Sequence, residues 1–169
     1  MIGFADGYEG MITPMRYRKL APNGIDGIMP MGGTILGTTN RRRFVAKVGE
    51  GNKASIPKAI LSEARETFEG LGLDALVCID GDESLSTALQ LQKAGIPVVG
   101  VPKRIDNDLN ATAMTFGFGS AVAVGVEALD RLHTTARSYK RLVVVEVMGR
   151  HAGCIALQSG LSGMDSAAP

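Results

Sequence analysis

The sequence predicts an α/β protein: a three-layer, mostly parallel sheet with helices on both faces. Two observations carry that expectation. Apolar runs of strand length at residues 73–79, 98–101 and 142–147 are near-continuous rather than alternating, as in strands buried on both faces. Each is followed by a charged or Gly-containing loop and then by a helical pattern. Strand, loop and helix repeated three times build a parallel sheet with crossover helices.

The helices read as follows. Ile56, Ile60, Leu61, Ala64 and Phe68 fall on one helical face ahead of the first strand, with Ser55 as the expected N-cap and Pro57 tolerable in the first turn. Residues 85–93 form the next helix, stopped by Gly95. Residues 120–139 form a long one, with Ala121, Val124, Ala128 and Leu132 on its apolar stripe. After the turn Met148-Gly149-Arg150 a Gly-containing helix begins near His151.

The N-terminal part is less patterned. Residues 3–11 read as a loop with Asp6-Gly7 as its turn signal, and residues 31–40 as a second Gly-rich loop that runs into Arg41-Arg42-Arg43. Glycines with Thr34, Thr38 and Thr39 beside arginines suit a phosphate cradle, and equally a flexible turn with a solvated basic run. No aromatic residues interleave with the arginines, so a nucleic-acid patch is not expected.

Composition narrows the function classes. The chain has 169 residues, 45% of them hydrophobic, and a formal charge of +1, which gives no global attraction to nucleic acid or an anionic membrane. Cys78 and Cys154 form no CxxC pair and no ligand cluster with His133 and His151, so a disulfide or a metal role for them is not expected. No signal sequence opens the chain and no apolar run has membrane-spanning length, so a cytoplasmic protein is expected.

Chemistry is expected at the carboxyl ends of the strands, where the loops of a parallel sheet converge. The first loop offers Asp80, Asp82 and Glu83, the second Lys103, Arg104, Asp106 and Asp108, and the third Arg150 with Arg141 nearby. Carboxylates to hold Mg²⁺, cations to neutralise phosphates and one carboxylate to accept a hydroxyl proton are the parts of a phosphoryl-transfer site. Asp106-Asn107-Asp108 also suits a plain turn closed by Asx side chains.

At these residues the sequence resembles the phosphofructokinase family. The resemblance lies in residues 32–40, Pro102-Lys103-Arg104-Ile105-Asp106-Asn107-Asp108, Thr115-Phe116-Gly117-Phe118, residues 127–135 and residues 143–153. It covers nearly the whole chain and is most specific between Pro102 and Gly153. It implies an incomplete Rossmann-like fold spanning residues 1–169, with residues 1–140 on the donor side and 141–169 opening the sugar-phosphate side. It further implies transfer of a phosphoryl group from ATP or diphosphate to the 1-hydroxyl of fructose 6-phosphate, with Mg²⁺, in a homodimer or homotetramer. By the same resemblance Asp106 is the base, Asp108 the second acid and Asp82 the metal-linked carboxylate. Gly81, Asp82, Glu83, Ser84 and Lys103 bind the donor. Arg141 serves the sugar phosphate across a subunit boundary, and Met148, Gly149 and Arg150 form the sugar-binding turn, with Arg150 also facing the transferred charge.

The chain departs from the family pattern at particular positions. Its first strand and Gly-Gly-Asp phosphate loop are expected ahead of Met1. Asp80 stands for the usual Gly, Arg104 for the usual Thr, and Asn40 for an Arg of many ATP users. Glu83 stands where ATP users carry Gly and diphosphate users commonly carry Asp. A second reading is therefore a non-catalytic sugar-phosphate or nucleotide-binding relative, or an assembly partner. A dinucleotide-binding protein is disfavoured because no GxGxxG follows a strand.

Overall fold

The computed structural model describes residues 1–39, 43–44 and 55–165. Asn40, Arg41 and Arg42 lie outside the described residues. The chain divides into two compact units, Met1–Cys78 with Glu83–Gly100 and Ile79–Asp82 with Val101–Pro169.

In the first unit, β1 (Ile2–Phe4) pairs antiparallel with β2 (Tyr17–Lys19), Gly3 lying opposite Arg18. Asp6 and Gly7 both take positive φ, 55° and 67°, and make the expected turn. It leads into a 3-10 turn at Gly7–Met11. The expectation of a plain loop over 3–11 is thus corrected. A three-residue strand is too short to display a period of two, so its pattern was invisible. Met11 and Ile12 are fully buried and join Phe44, Ile56, Ala64, Phe68, Leu91 and Ile96 in the core.

Helix α1 (Lys58–Gly70) buries Ala64 and Phe68 on the expected face. Ser55 does not cap it; Pro57 is the N-cap, and its carbonyl accepts from Ile60 and Leu61 at 3.0 and 3.2 Å. The reason is steric: a residue ahead of proline is driven out of the helical region, so Ile56 bars any earlier start. The Glu63 carboxylate of α1 accepts the Thr13 N–H at 2.6 Å.

Strands β3 (Leu76–Asp80) and β4 (Val98–Pro102) pair with each other. Leu76 donates to Pro97 at one end and Lys103 to Asp80 at the other, at 2.8 and 3.1 Å, so the pair is parallel as predicted. Between them runs α2 (Asp82–Lys93), which buries Thr87, Ala88 and Leu91 and ends, as expected, before Gly95 at φ 97°. It begins at Asp82 rather than 85, because the acids of the expected loop suit the positive end of a helix. The parallel pair with its helices is the α/β arrangement predicted; along it Cys78 is buried, whereas Val77, Ile79 and Val99 are 57%, 63% and 54% exposed.

In the second unit, α3 (Phe118–Tyr139) packs along α4 (Cys154–Asp165). The contact face is rotated from the predicted stripe: Phe118 and Gly125 are buried, whereas Val124 is 67% exposed. Hydrophobicity overlooks Gly125, whose missing side chain makes the room. A Cβ there would overlap the Ser159 hydroxyl and stand 3.0 Å from Ser159 Cβ. The run 142–147 forms no strand among the described residues, and Leu142 and Val144 are 93% and 87% exposed. Apolar composition favours extension, but only a partner's backbone makes a ladder, and no strand pairs with it among the described residues. α4 starts three residues past His151. No described helix is long and apolar enough to cross a membrane.

Two outcomes are expected. Gly125→Leu costs about 1–3 kcal/mol by overpacking, read by chemical denaturation, and adding Ser159→Gly recovers part of the loss. The second concerns acid. Hydrogen bonding by Thr13, chiefly from its backbone N–H, holds Glu63 below its ordinary value of 4.5. A carboxyl lowered in the folded state contributes stability above its unfolded value and loses it as pH falls through the folded one. The melting temperature of the parent chain should therefore exceed that of Glu63→Gln at neutral pH, with the gap closing in acid.

Candidate active site

The site-bearing loop of the second unit leaves β4 at Pro102. Its backbone is held by a second segment: Lys103 and Phe116 form a parallel bridge, Arg104 N donates to Phe116 O at 2.9 Å, and Phe116 N donates to Pro102 O at 3.1 Å. Asn107 then takes φ 54°, a left-handed conformation that Asn tolerates better than most residues. Its side-chain oxygen accepts the Thr115 N–H at 2.8 Å. Thr115, 2% exposed, also donates its hydroxyl to the Arg104 carbonyl. Asn107 thus shapes the loop that carries Asp106 and Asp108, through a bond to Thr115 eight residues on rather than through a local Asx turn.

Asp106 is buried, 7% exposed, and its Oδ2 accepts from Arg104 Nε at 3.2 Å. The same Nε lies 2.8 Å from Asp108 Oδ1. One guanidinium thus joins both acids of the motif. Its Nη1 also lies 3.4 Å from the point where a Cβ on Gly81 would stand, so Gly81 keeps that space open. Asp82 follows at the head of α2, exposed and without an ion pair among the described residues. No cluster of three or more His, Cys, Asp or Glu able to hold a metal occurs among the described residues. Mg²⁺ needs none: it keeps several waters and binds through one or two carboxylates plus substrate phosphates, a demand that a free, exposed Asp82 fits.

The other predicted residues are placed as follows. Lys103 is exposed. Arg141 donates its N–H to Ala136 O at 2.9 Å, and its guanidinium lies 4.9 Å from the Tyr139 ring centre. Met148 is 74% exposed, and Arg150 takes φ 49°. Gly149 is required by its turn: its carbonyl accepts from Ala152 at 2.7 Å, and a Cβ would collide with the Ala152 carbonyl. No hydrogen bond or ion pair among the described residues joins Arg141, Met148, Gly149 or Arg150 to Asp106 or Asp108.

In the first unit, Glu83 is exposed in the first turn of α2, and the Ser84 carbonyl accepts the Tyr8 hydroxyl at 2.7 Å. Tyr8 packs on Phe44, ring centres 5.7 Å apart, and the buried Thr87 donates to Phe44 O at 3.2 Å. Burial pushes the Cys78 thiol up, and a bond with Tyr8 partly offsets this. Tyr8, Phe44, Asn107 and Thr115 are supports that no charge pattern flags. Of these, the turn chemistry of Asn107 and the motif that contains Thr115 are legible in the sequence.

A profile of the phosphofructokinase family matches residues 1–168. The chain is 47% identical over 163 residues to the ATP-dependent 6-phosphofructokinase of Chloroflexus aurantiacus, covering 96% of this chain and 45% of that protein. It is 45% identical over 162 residues to the pyrophosphate–fructose 6-phosphate 1-phosphotransferase of Amycolatopsis mediterranei, covering 96% of this chain and 44% of that one. Among solved structures, phosphofructokinase from Saccharomyces cerevisiae superimposes with a TM-score of 0.78 at 26% identity, over 96% of this chain and 23% of that chain. The chain spans less than half the length of these curated relatives. With the family profile running from residue 1 to residue 168, the chain belongs to the phosphofructokinase family.

Proposed function

We propose that this chain carries the donor side and the proton-accepting carboxylate of a 6-phosphofructokinase, which moves a phosphoryl group from ATP or diphosphate to the 1-hydroxyl of fructose 6-phosphate. The observation that carries the reading is Asp106, a buried carboxylate fixed beyond the carboxyl end of a parallel strand, with its Oδ2 held by Arg104 Nε. Relatives that use either donor support it. A general base needs only hydrogen-bond reach of the proton it accepts. The hydroxyl proton passes to Asp106 as the sugar oxygen bonds to phosphorus, and the bond to the donor's bridging oxygen breaks.

The remaining residues take roles around that step. Gly81, Asp82, Glu83, Ser84 and Lys103 meet the donor. Asp82 holds Mg²⁺, which when bound neutralises charge on the phosphates. Asp108 is the second acid. Residues 141–169 open the sugar-phosphate side, with Met148, Gly149 and Arg150 at the sugar and Arg150 forked onto phosphate charge. Arg141 reaches the sugar phosphate of a neighbouring subunit in a cytoplasmic homo-oligomer.

Asp106→Asn keeps the shape of the side chain but removes the base. Turnover of fructose 6-phosphate should fall by about 10²–10⁴ while sugar-phosphate binding persists. Unchanged turnover would take Asp106 out of the mechanism.

Glu83 bears on the donor. A carboxylate about 4 Å from a nucleotide α-phosphate is repelled by roughly 4 kcal/mol at an effective dielectric near 20. Diphosphate presents no such group. Glu83→Gly should raise the ratio of kcat/KM for ATP to that for diphosphate, measured in parallel. A constant ratio rules Glu83 out as the discriminating residue.

A further inference from the structure

We infer that Arg104 is a positioning residue for the base: its guanidinium aims Asp106 by one oxygen and holds Asp108 beside it. The inference rests on the proposed role of Asp106 as proton acceptor.

Three observations carry it. Arg104 Nε reaches Asp106 Oδ2 at 3.2 Å and Asp108 Oδ1 at 2.8 Å, so a single donor spans two acids two residues apart. The three side chains are 16%, 10% and 31% exposed, which places the Arg104–Asp106 contact largely away from water, where a lone carboxylate is costly. Arg104 is itself immobilised. Its N–H donates to Phe116 O at 2.9 Å, its carbonyl accepts the Thr115 hydroxyl, and its Nη1 lies 3.4 Å from where a Cβ on Gly81 would stand. The cation is therefore fixed before any ligand arrives.

The physical consequence is preorganisation. Two neighbouring carboxylates repel and turn apart unless a cation sits between them. Here a side chain of the protein supplies that cation, so the Asp106 carboxylate keeps one orientation, set by the bond to its Oδ2. When Asp106 takes the hydroxyl proton, Arg104 retains Asp108 as its partner and is not left unpaired. A planar guanidinium performs this task by direction as well as by charge, which an ammonium reproduces only in part. Misplacing a reacting group by about 1 Å can cost on the order of 100-fold in rate.

The test compares Arg104→Thr and Arg104→Lys with the parent and with Asp106→Asn in the full chain. Steady-state turnover of fructose 6-phosphate is measured with ATP and with diphosphate, alongside melting temperature. The expected result is a fall in kcat of about tenfold or more for the Thr variant, with KM for the sugar phosphate within about threefold of the parent. The Lys variant should lie between the two. Turnover of Arg104→Thr equal to or above the parent overturns the inference, because Arg104 then restrains the base rather than aiming it. A rise in KM without a fall in kcat overturns it too, as does a Lys variant that folds yet recovers nothing. If Arg104→Thr does not fold, the kcat of Arg104→Lys decides: a fall with steady KM supports the inference and parental turnover overturns it. An active parent and an inactive Asp106→Asn with an unaffected Arg104→Thr sink this inference alone. A parent without turnover on either donor sinks the functional reading as well.

Discussion

The parallel bridge between Lys103 and Phe116 extends the chain past the end of β4, and the site inherits its order from that contact. Backbone hydrogen bonds to Asp80 on one side and to Phe116 on the other leave residues 102–104 little freedom. Extended backbone sends successive side chains to opposite sides, so Lys103 is exposed while Arg104 turns toward Gly81 and the two aspartates. Thr115 closes the loop by serving both the Arg104 carbonyl and Asn107. Leaving such a buried group unpaired costs about 1–3 kcal/mol, which makes a residue with no chemistry of its own a strong determinant of where Asp106 sits.

The first unit solves the corresponding problem at the head of α2 by packing. Tyr8, delivered by the turn at Asp6 and Gly7, places its hydroxyl on the Ser84 carbonyl and its ring against Phe44. Thr87 then fixes the Phe44 backbone from the next turn of the same helix. Arg43, adjacent in sequence, donates to Thr13 O at 3.0 Å and lies 3.6 Å from the buried Glu9. Arg43 is thus pinned by Thr13 and Glu9, some thirty residues earlier in the chain.

The elements readable from the sequence are those whose signal is long or chemically specific. Helix α1 repeats its apolar face over three turns, and β3 and β4 are short apolar runs bounded by turn residues. Gly95 stops α2 because an achiral residue takes φ 97° without strain. The failures have different causes. β1 and β2 are three residues each and take their stability from pairing with one another. The run 142–147 has a strand's composition, but pairing is a property of two segments and cannot be read from one. On α3, a stripe drawn through Val124 and Leu132 missed that the contact uses Gly125, chosen for absence of bulk rather than for hydrophobicity. At the site, the motif residues and their loop were legible because charges at fixed spacing are conspicuous. That Arg104 would join both carboxylates was not, because it depends on the left-handed turn at Asn107 and on a threonine eight residues further along.

That pairing gives the two adjacent cations unequal tasks. Lys103 carries a compact ammonium on a flexible stem in solvent, suited to following a phosphate as it arrives. Arg104 carries a planar fork between carboxylates, suited to staying where it is. Two carboxylates about 4 Å apart repel by roughly 4 kcal/mol at an effective dielectric near 20. A neutral residue at position 104 would leave that repulsion to be met by charge brought with the ligands. Arg104 meets it from within the fold, reducing the formal charge of the cluster from two negative units to one. Under the proposed function, Asp106 is then presented in the ligand-free protein, and the cation that accompanies the donor is left to Asp82, which is free of any ion pair among the described residues.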